Sequence, residues 1–417
     1  MQKKKLTKKT VLILTASVFL IIAMTIAGAS LFLQRYEDKD PIIHKDNESL
    51  TSFNGHISES NETDDPIGDA SQTFAESFPE ISDVSDDISL NEAESSTEEN
   101  KNESEPEIKH GWVINEYGYT YLYGNCGYEQ FNYKSTALER YSASLNSFAS
   151  LIGPSCRLFN ITVPVSSTFA PIPREIYVQD NFYNQSQSAF VSTVGSKLDA
   201  RITNINVVSE LERRYDEGEH VYFRTDRNWT SLGAYSAYKA FCSSAGISAY
   251  PIESFVQKDG GEFLGSFYNA TSSIELEKDP DLFYYYPALS SIKCSLTVYD
   301  NDMVYSEYEL CGNDFSIETA YNVYLGRDAA RYEINTTAPN RSLLIIGDSS
   351  TAPLAPFLAS HYSKIDIINP ERFNESLTEF LRDRKYDDVL TICYSTNAVN
   401  GSYIPSFNII NGVTENE

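Results

Sequence analysis

Leu343-Leu344-Ile345-Ile346-Gly347-Asp348-Ser349-Ser350 is the stretch that decides the fold. Four consecutive apolar residues, two of them β-branched, read as a strand buried on both faces, as in a parallel sheet. Glycine then lets the chain turn, and residues 351–361 are expected to form a helix. A serine at the carboxyl end of such a strand points into the crevice where open α/β sheets hold ligands. Free N–H groups of the following helix would stabilise an oxyanion there. The same serine also suits a helix cap, so both readings stand at this point.

Outward from this stretch the pattern repeats. Strands are expected at 158–165, 202–208, 221–224, 365–368 and 389–394. Helices are expected at 137–151, 186–198, 211–217, 231–245 and 375–381. Strands alternating with helices imply an α/β fold with a mostly parallel sheet flanked by helices. Residues 255–326 read as a β-rich insertion, and 112–123 as one or two strands. Tyr117, Tyr119, Tyr121 and Tyr123 alternate, so one strand face carries a row of tyrosines, for sugar stacking or for ordinary packing.

The 417 residues carry a formal charge of −27, unevenly placed. Residues 1–35 have six basic and no acidic side chains, residues 36–109 have 22 acidic and four basic ones, and the remainder has 37 and 22. Such a chain is not a basic nucleic-acid binder. Residues 11–33 are an uncharged apolar run of 23 behind five lysines, long enough to span a bilayer. The positive-inside rule places residues 1–10 as a cytoplasmic stub and everything after 35 outside the cell membrane. The segment reads as a single-pass signal anchor, or as a signal peptide cleaved near Ala27-Gly28-Ala29. Residues 36–109 have the composition of a disordered acidic linker, with a coil span of roughly 50 Å. The expected folded domain is 111–417.

All six cysteines lie in that domain. Cys294 and Cys311 flank a turn at Asp300-Asn301-Asp302, so they either pair across a hairpin or remain small buried thiols. No spacing suggests a metal site, and no cofactor is expected.

A second polar cluster opens a helix: Arg224-Thr225-Asp226-Arg227-Asn228-Trp229-Thr230-Ser231-Leu232-Gly233-Ala234-Tyr235. Asp226 stands where a carboxylate orients a base, and Thr230 or Ser231 caps the helix. This block resembles the signature of DHHW-type proteins, Thr-Asp-His-His-Trp-Thr-Ser-Leu-Gly-Ala-Tyr. These are extracytoplasmic, SGNH-hydrolase-like proteins related to the polysaccharide O-acetylation proteins of alginate systems. Phe263-Leu264-Gly265-Ser266-Phe267, the Gly347-Asp348-Ser349 block and Asp387-Asp388-Val389-Leu390 resemble further blocks of that family.

The resemblance implies an SGNH-like fold and a Ser-His-Asp constellation moving acyl groups on a cell-surface polysaccharide, beside a membrane acyl-transfer protein. Carried over by position, Ser349 is the nucleophile and Asp226 the orienting acid. Asp348, Arg227, Trp229 and Gly265 become binding positions. The base position holds Asn228, and the neighbouring histidine position holds Arg227. Asn does not titrate, so it cannot take the serine proton. His220 lies six residues before Asp226, about 20 Å away in an extended strand. His361 lies twelve residues after Ser349, roughly 18 Å away along a helix. His110 stands at the domain edge and remains open as a base. Two functions are therefore carried forward: an O-acetyltransferase or esterase with another base, and a non-catalytic glycan-binding or scaffold protein of the same fold.

Overall fold

The computed structural model describes residues 108–413, apart from 116–117, 301–302 and 313–315. The expected cytoplasmic stub, the apolar segment 11–33 and nearly all of the acidic linker lie outside the described residues. Among the described residues, no helix is long and apolar enough to cross a membrane.

Thirteen strands are described: β1 His110–Asn115, β2 Gly118–Tyr123, β3 Cys126–Tyr128, β4 Arg157–Val163, β5 Ile202–Ile205, β6 Lys258–Phe263, β7 Asp281–Tyr285, β8 Cys294–Asp300, β9 Met303–Tyr308, β10 Arg331–Thr336, β11 Ser342–Gly347, β12 Lys364–Ile368 and β13 Asp388–Tyr394. Eight of them form the main sheet, in the order β5-β4-β13-β11-β12-β10-β8-β9. The first five are mutually parallel. β10, β8 and β9 continue the sheet antiparallel. The sheet is thus mixed. Half of the expected β-rich insertion extends it, while β6 and β7 make a separate two-stranded sheet.

β11 is central because it is apolar on both faces: Leu343, Leu344, Ile345 and Ile346 are all fully buried. Helices cover the two faces, and alternation along β4 shows it. Phe159 meets Phe241 of the helix Ser231–Ser244, while Asn160 and Thr162 bond the Tyr141 hydroxyl of the helix Ser135–Leu151. From β11 the chain moves to β12 on one side and then crosses to β13 on the other. The carboxyl end of β11 is therefore a topological switch point, and Ser349 follows it directly.

Two expected elements differ from the sequence reading. Residues 221–224 do not form a sheet strand. The chain doubles back there, with a single bridge between Tyr222 and Trp229 and bonds from Phe223 N to Asn228 O and Thr230 N to Val221 O. The expected helix over 351–361 is reduced to a 3₁₀ turn, Ser349–Thr351, and one short turn, Ala355–Leu358. Pro353 and Pro356 supply no N–H and interrupt it.

β1–β3 form a small antiparallel sheet over a satellite core. Of the tyrosine row, Tyr121 is fully buried and stacks on Phe182 at 4.2 Å, Tyr123 is half-buried, Tyr119 is exposed, and Tyr117 lies outside the described residues. The six cysteines are free thiols, so Cys294 and Cys311 do not pair.

Candidate functional site

The site is built where the hairpin turn 224–228 meets the end of β11. The turn is held from below by Asp281, which is nearly fully buried at the start of β7. Its Oδ2 accepts Thr225 N and Thr225 Oγ1, each at 2.7 Å, and Arg224 N at 2.9 Å. His220 Nε2 lies 3.2 Å from Oδ1. Burial alone would push this carboxyl up, but His220 and the Thr225 donors hold it below its ordinary value. From above, Gly127 N of β3 bonds Arg224 O, which ties the small sheet to the turn.

Asp226 is buried at the tip. Its Oδ1 accepts Asn228 N at 2.7 Å and Asn228 Nδ2 at 2.6 Å, and its Oδ2 accepts Ser266 N at 2.6 Å. Gly265 leaves room for it: a Cβ there would stand 2.2 Å from Asp226 Cβ. Ser349 Oγ donates to Asn228 Oδ1 at 2.8 Å. Ser349, Asn228 and Asp226 therefore form one hydrogen-bonded line. The amide orientation follows from chemistry, since the opposite one would set Oδ1 against the Asp226 carboxylate. Asn228 accepts from Ser349 with an oxygen that cannot be protonated near neutrality, so the serine keeps its proton.

No described histidine partners Ser349. His110 Nδ1 sits 2.6 Å from Asp180 Oδ2, and His220 faces Asp281. His361 Nε2 bonds the Tyr238 hydroxyl at 2.7 Å, and burial with the Arg341 charge pushes its imidazole down to about 4. His220 is nearer the turn than an extended strand would place it, because the chain doubles back.

Asp348 is a structural hub. Its Oδ1 accepts Ser350 N and Oγ, and its Oδ2 accepts Tyr394 N at 2.8 Å and Asn397 Nδ2 at 2.7 Å. Ser350 N and Thr351 N are thus spent on Asp348, and the row of free helix N–H groups expected for an oxyanion is not there. Trp229 is fully buried and faces inward: its indole N–H donates to Ser350 O at 3.1 Å, and its backbone N–H donates to Tyr394 Oη at 2.9 Å. It fixes the turn against the serine rather than presenting a face to ligand. Arg227 places Nη2 3.2 Å from both Asn397 Oδ1 and Glu129 Oε1. Burial pushes the Glu129 carboxyl up, and Arg227 opposes this.

Ser349, Asp348, Gly347 and Thr351 border a cavity of about 110 Å³, closed by Tyr321 and Leu325. Arg227 and Ser266 border a second, wider recess of about 440 Å³. Among the described residues no group of His, Cys, Asp and Glu is arranged to hold a metal. Sequence reasoning missed Glu129, Asp281 and Asn397. Asn397 follows the carboxyl end of β13, so the argument that singled out Ser349 after β11 would have found it.

A family model described as DHHW protein matches residues 68–368. The solved structure of a DHHW family protein from Eubacterium siraeum is 24% identical, with a TM-score of 0.62; the likeness covers 72% of this chain and 97% of that one. Bacillus cereus PatB1, solved with a sulfonyl adduct, is 16% identical with a TM-score of 0.55, covering 71% of this chain and 99% of that one. These likenesses show a shared fold. No curated protein matches the sequence.

Proposed function

The chain belongs to the DHHW family, and from that premise we propose that it serves O-acylation or assembly of a cell-surface polysaccharide. In this reading it binds glycan and does not itself turn over through a Ser-His-Asp route. The observation that carries the second half is the Ser349–Asn228–Asp226 line, in which the group facing the serine is an amide oxygen. A serine hydroxyl without an adjacent base is a poor nucleophile. The line keeps the shape of a triad and lacks the proton acceptor. Family kinship supports the polysaccharide. The lysine-flanked apolar run and the acidic stretch behind it support an extracytoplasmic domain, held to the membrane by residues 11–33 within reach of a membrane acyl-transfer partner.

The test is acetate release from an aryl acetate by the purified protein, Ser349→Ala and Asn228→His. The reading expects no difference between the first two and a gain in the third. Hydrolysis by the unaltered protein that Ser349→Ala abolishes would replace it with an esterase or acetyltransferase that uses another base.

A further inference from the structure

The recess of about 440 Å³ is lined by Tyr119, Glu129, Arg227, Ser266 and Asn269 among others, and Asn397 links its Arg227 to Asp348 beside Ser349. Its size falls in the range of small-ligand clefts, about 300–1,000 Å³. Its walls are polar and converge. Arg227 spends Nη2 on Asn397 and Glu129, and no hydrogen bond from Nη1 is made to a described residue. Ser266 Oγ accepts Arg227 N at 3.1 Å, leaving its proton to donate. Glu129 holds Arg227 with Oε1 and accepts Thr396 Oγ1 at Oε2, 3.5 Å away, which leaves each oxygen a second lone pair for a donor, and Asn269 offers an amide.

At the mouth stands Tyr119, 56% exposed, two residues from the fully buried Tyr121 on the same strand. An exposed aromatic ring beside convergent planar hydrogen-bonding groups is suited to a ring with vicinal hydroxyls. Charge narrows the class. Arg227 Nη2 already pairs with Glu129 Oε1 at 3.2 Å. A sugar carboxylate or sulfate placed there meets a cation that another carboxylate already holds.

We infer that this recess binds a neutral pyranose residue of a glycan, with Tyr119 as the stacking face and Glu129 and Arg227 bonding its hydroxyls. The inference rests on the glycan half of the function proposed above and is independent of what Ser349 does.

The full-length protein in detergent micelles is titrated with cellotriose, chitotriose and trigalacturonate by calorimetry. Tyr119→Ala and Glu129→Gln are run alongside, with Tyr284→Ala, an exposed ring on β7, as control. Near-ultraviolet circular dichroism checks that each variant is folded. The expected result is binding of a neutral trisaccharide, at least tenfold weaker binding of trigalacturonate, and about tenfold weakening by each of the two recess substitutions, with the control unchanged. Binding that survives both substitutions overturns the site and leaves the glycan reading standing. Preference for trigalacturonate overturns the neutral assignment. Failure of all three sugars to bind overturns the site together with the glycan half of the proposed function.

Discussion

Gly265→Ala isolates the support under Asp226. The added Cβ would lie 2.2 Å from Asp226 Cβ and 2.3 Å from Oδ2. Non-bonded carbons settle at about 3.5–4.0 Å, so a gap of more than about 1 Å must open. Asp226 cannot retreat freely, because Asn228 N, Asn228 Nδ2 and Ser266 N all hold its carboxylate. Overpacking of this kind costs about 1–3 kcal/mol. The opening also stretches the Ser266 bond to a buried charged group, worth about 1.5–3 kcal/mol. The expected loss of stability, net of the unfolded-state gain from Gly→Ala, is therefore roughly 2–5 kcal/mol. Gly265 has an ordinary backbone conformation, φ −95°, so alanine adds no dihedral strain. The unfolded-state effect of Gly→Ala, about 0.4–1 kcal/mol, is stabilising and works against the prediction. Urea unfolding followed by tryptophan fluorescence reads the difference directly. A loss below about 1 kcal/mol with unchanged m would refute the claim that Gly265 is where Asp226 is wedged in place.

Asp281→Asn should cost about 2–4 kcal/mol, because an amide oxygen cannot accept all three N–H and O–H donors and the buried charge facing Arg224 is lost, leaving Arg224 only its pair with Asp279. Amide exchange at Thr225 should quicken in the same variant, and an unchanged rate would count against Asp281 as the anchor of the turn. His361 titrates at about 4 in the fold against an ordinary 6.5. Its neutral form therefore contributes stability that is complete above about pH 6.5 and is lost as pH falls towards 4. Between pH 7.5 and 4.5 the unaltered protein should lose about 2–3 kcal/mol more than His361→Gln. Equal pH dependence in the two proteins would show that the imidazole is not held neutral.

β11 was legible because a strand buried on both faces has no alternation to obscure it, and Gly347-Asp348-Ser349 marks its end. The covering helices were legible from their spacing. Strand direction was not, since alternation in β8 and β10 is the same whether a neighbour runs parallel or antiparallel. Residues 221–224 have strand composition, yet the backbone at Arg224 and Thr225 bonds a carboxylate 56 or 57 residues away, which local pattern does not encode. Apolar spacing after Ser349 is helical, but Pro353 and Pro356 withhold two N–H groups and leave only short turns. The neighbourhood of Ser349 and Asn228 rested on family kinship alone, 121 residues apart in sequence, until the geometry brought them to 2.8 Å. Trp229 and Asp348, binding positions by family resemblance, hold the serine turn in place.

The central claim is that Ser349 is aligned with Asp226 through a group that cannot take its proton. A sulfonyl fluoride modifies a serine that a neighbouring base activates, so the direct measurement is intact-mass analysis after exposure to phenylmethanesulfonyl fluoride. The account predicts no adduct on the unaltered protein, one adduct on Asn228→His, and none when Ser349→Ala is added to that change. A stoichiometric adduct on Ser349 of the unaltered protein would contradict it.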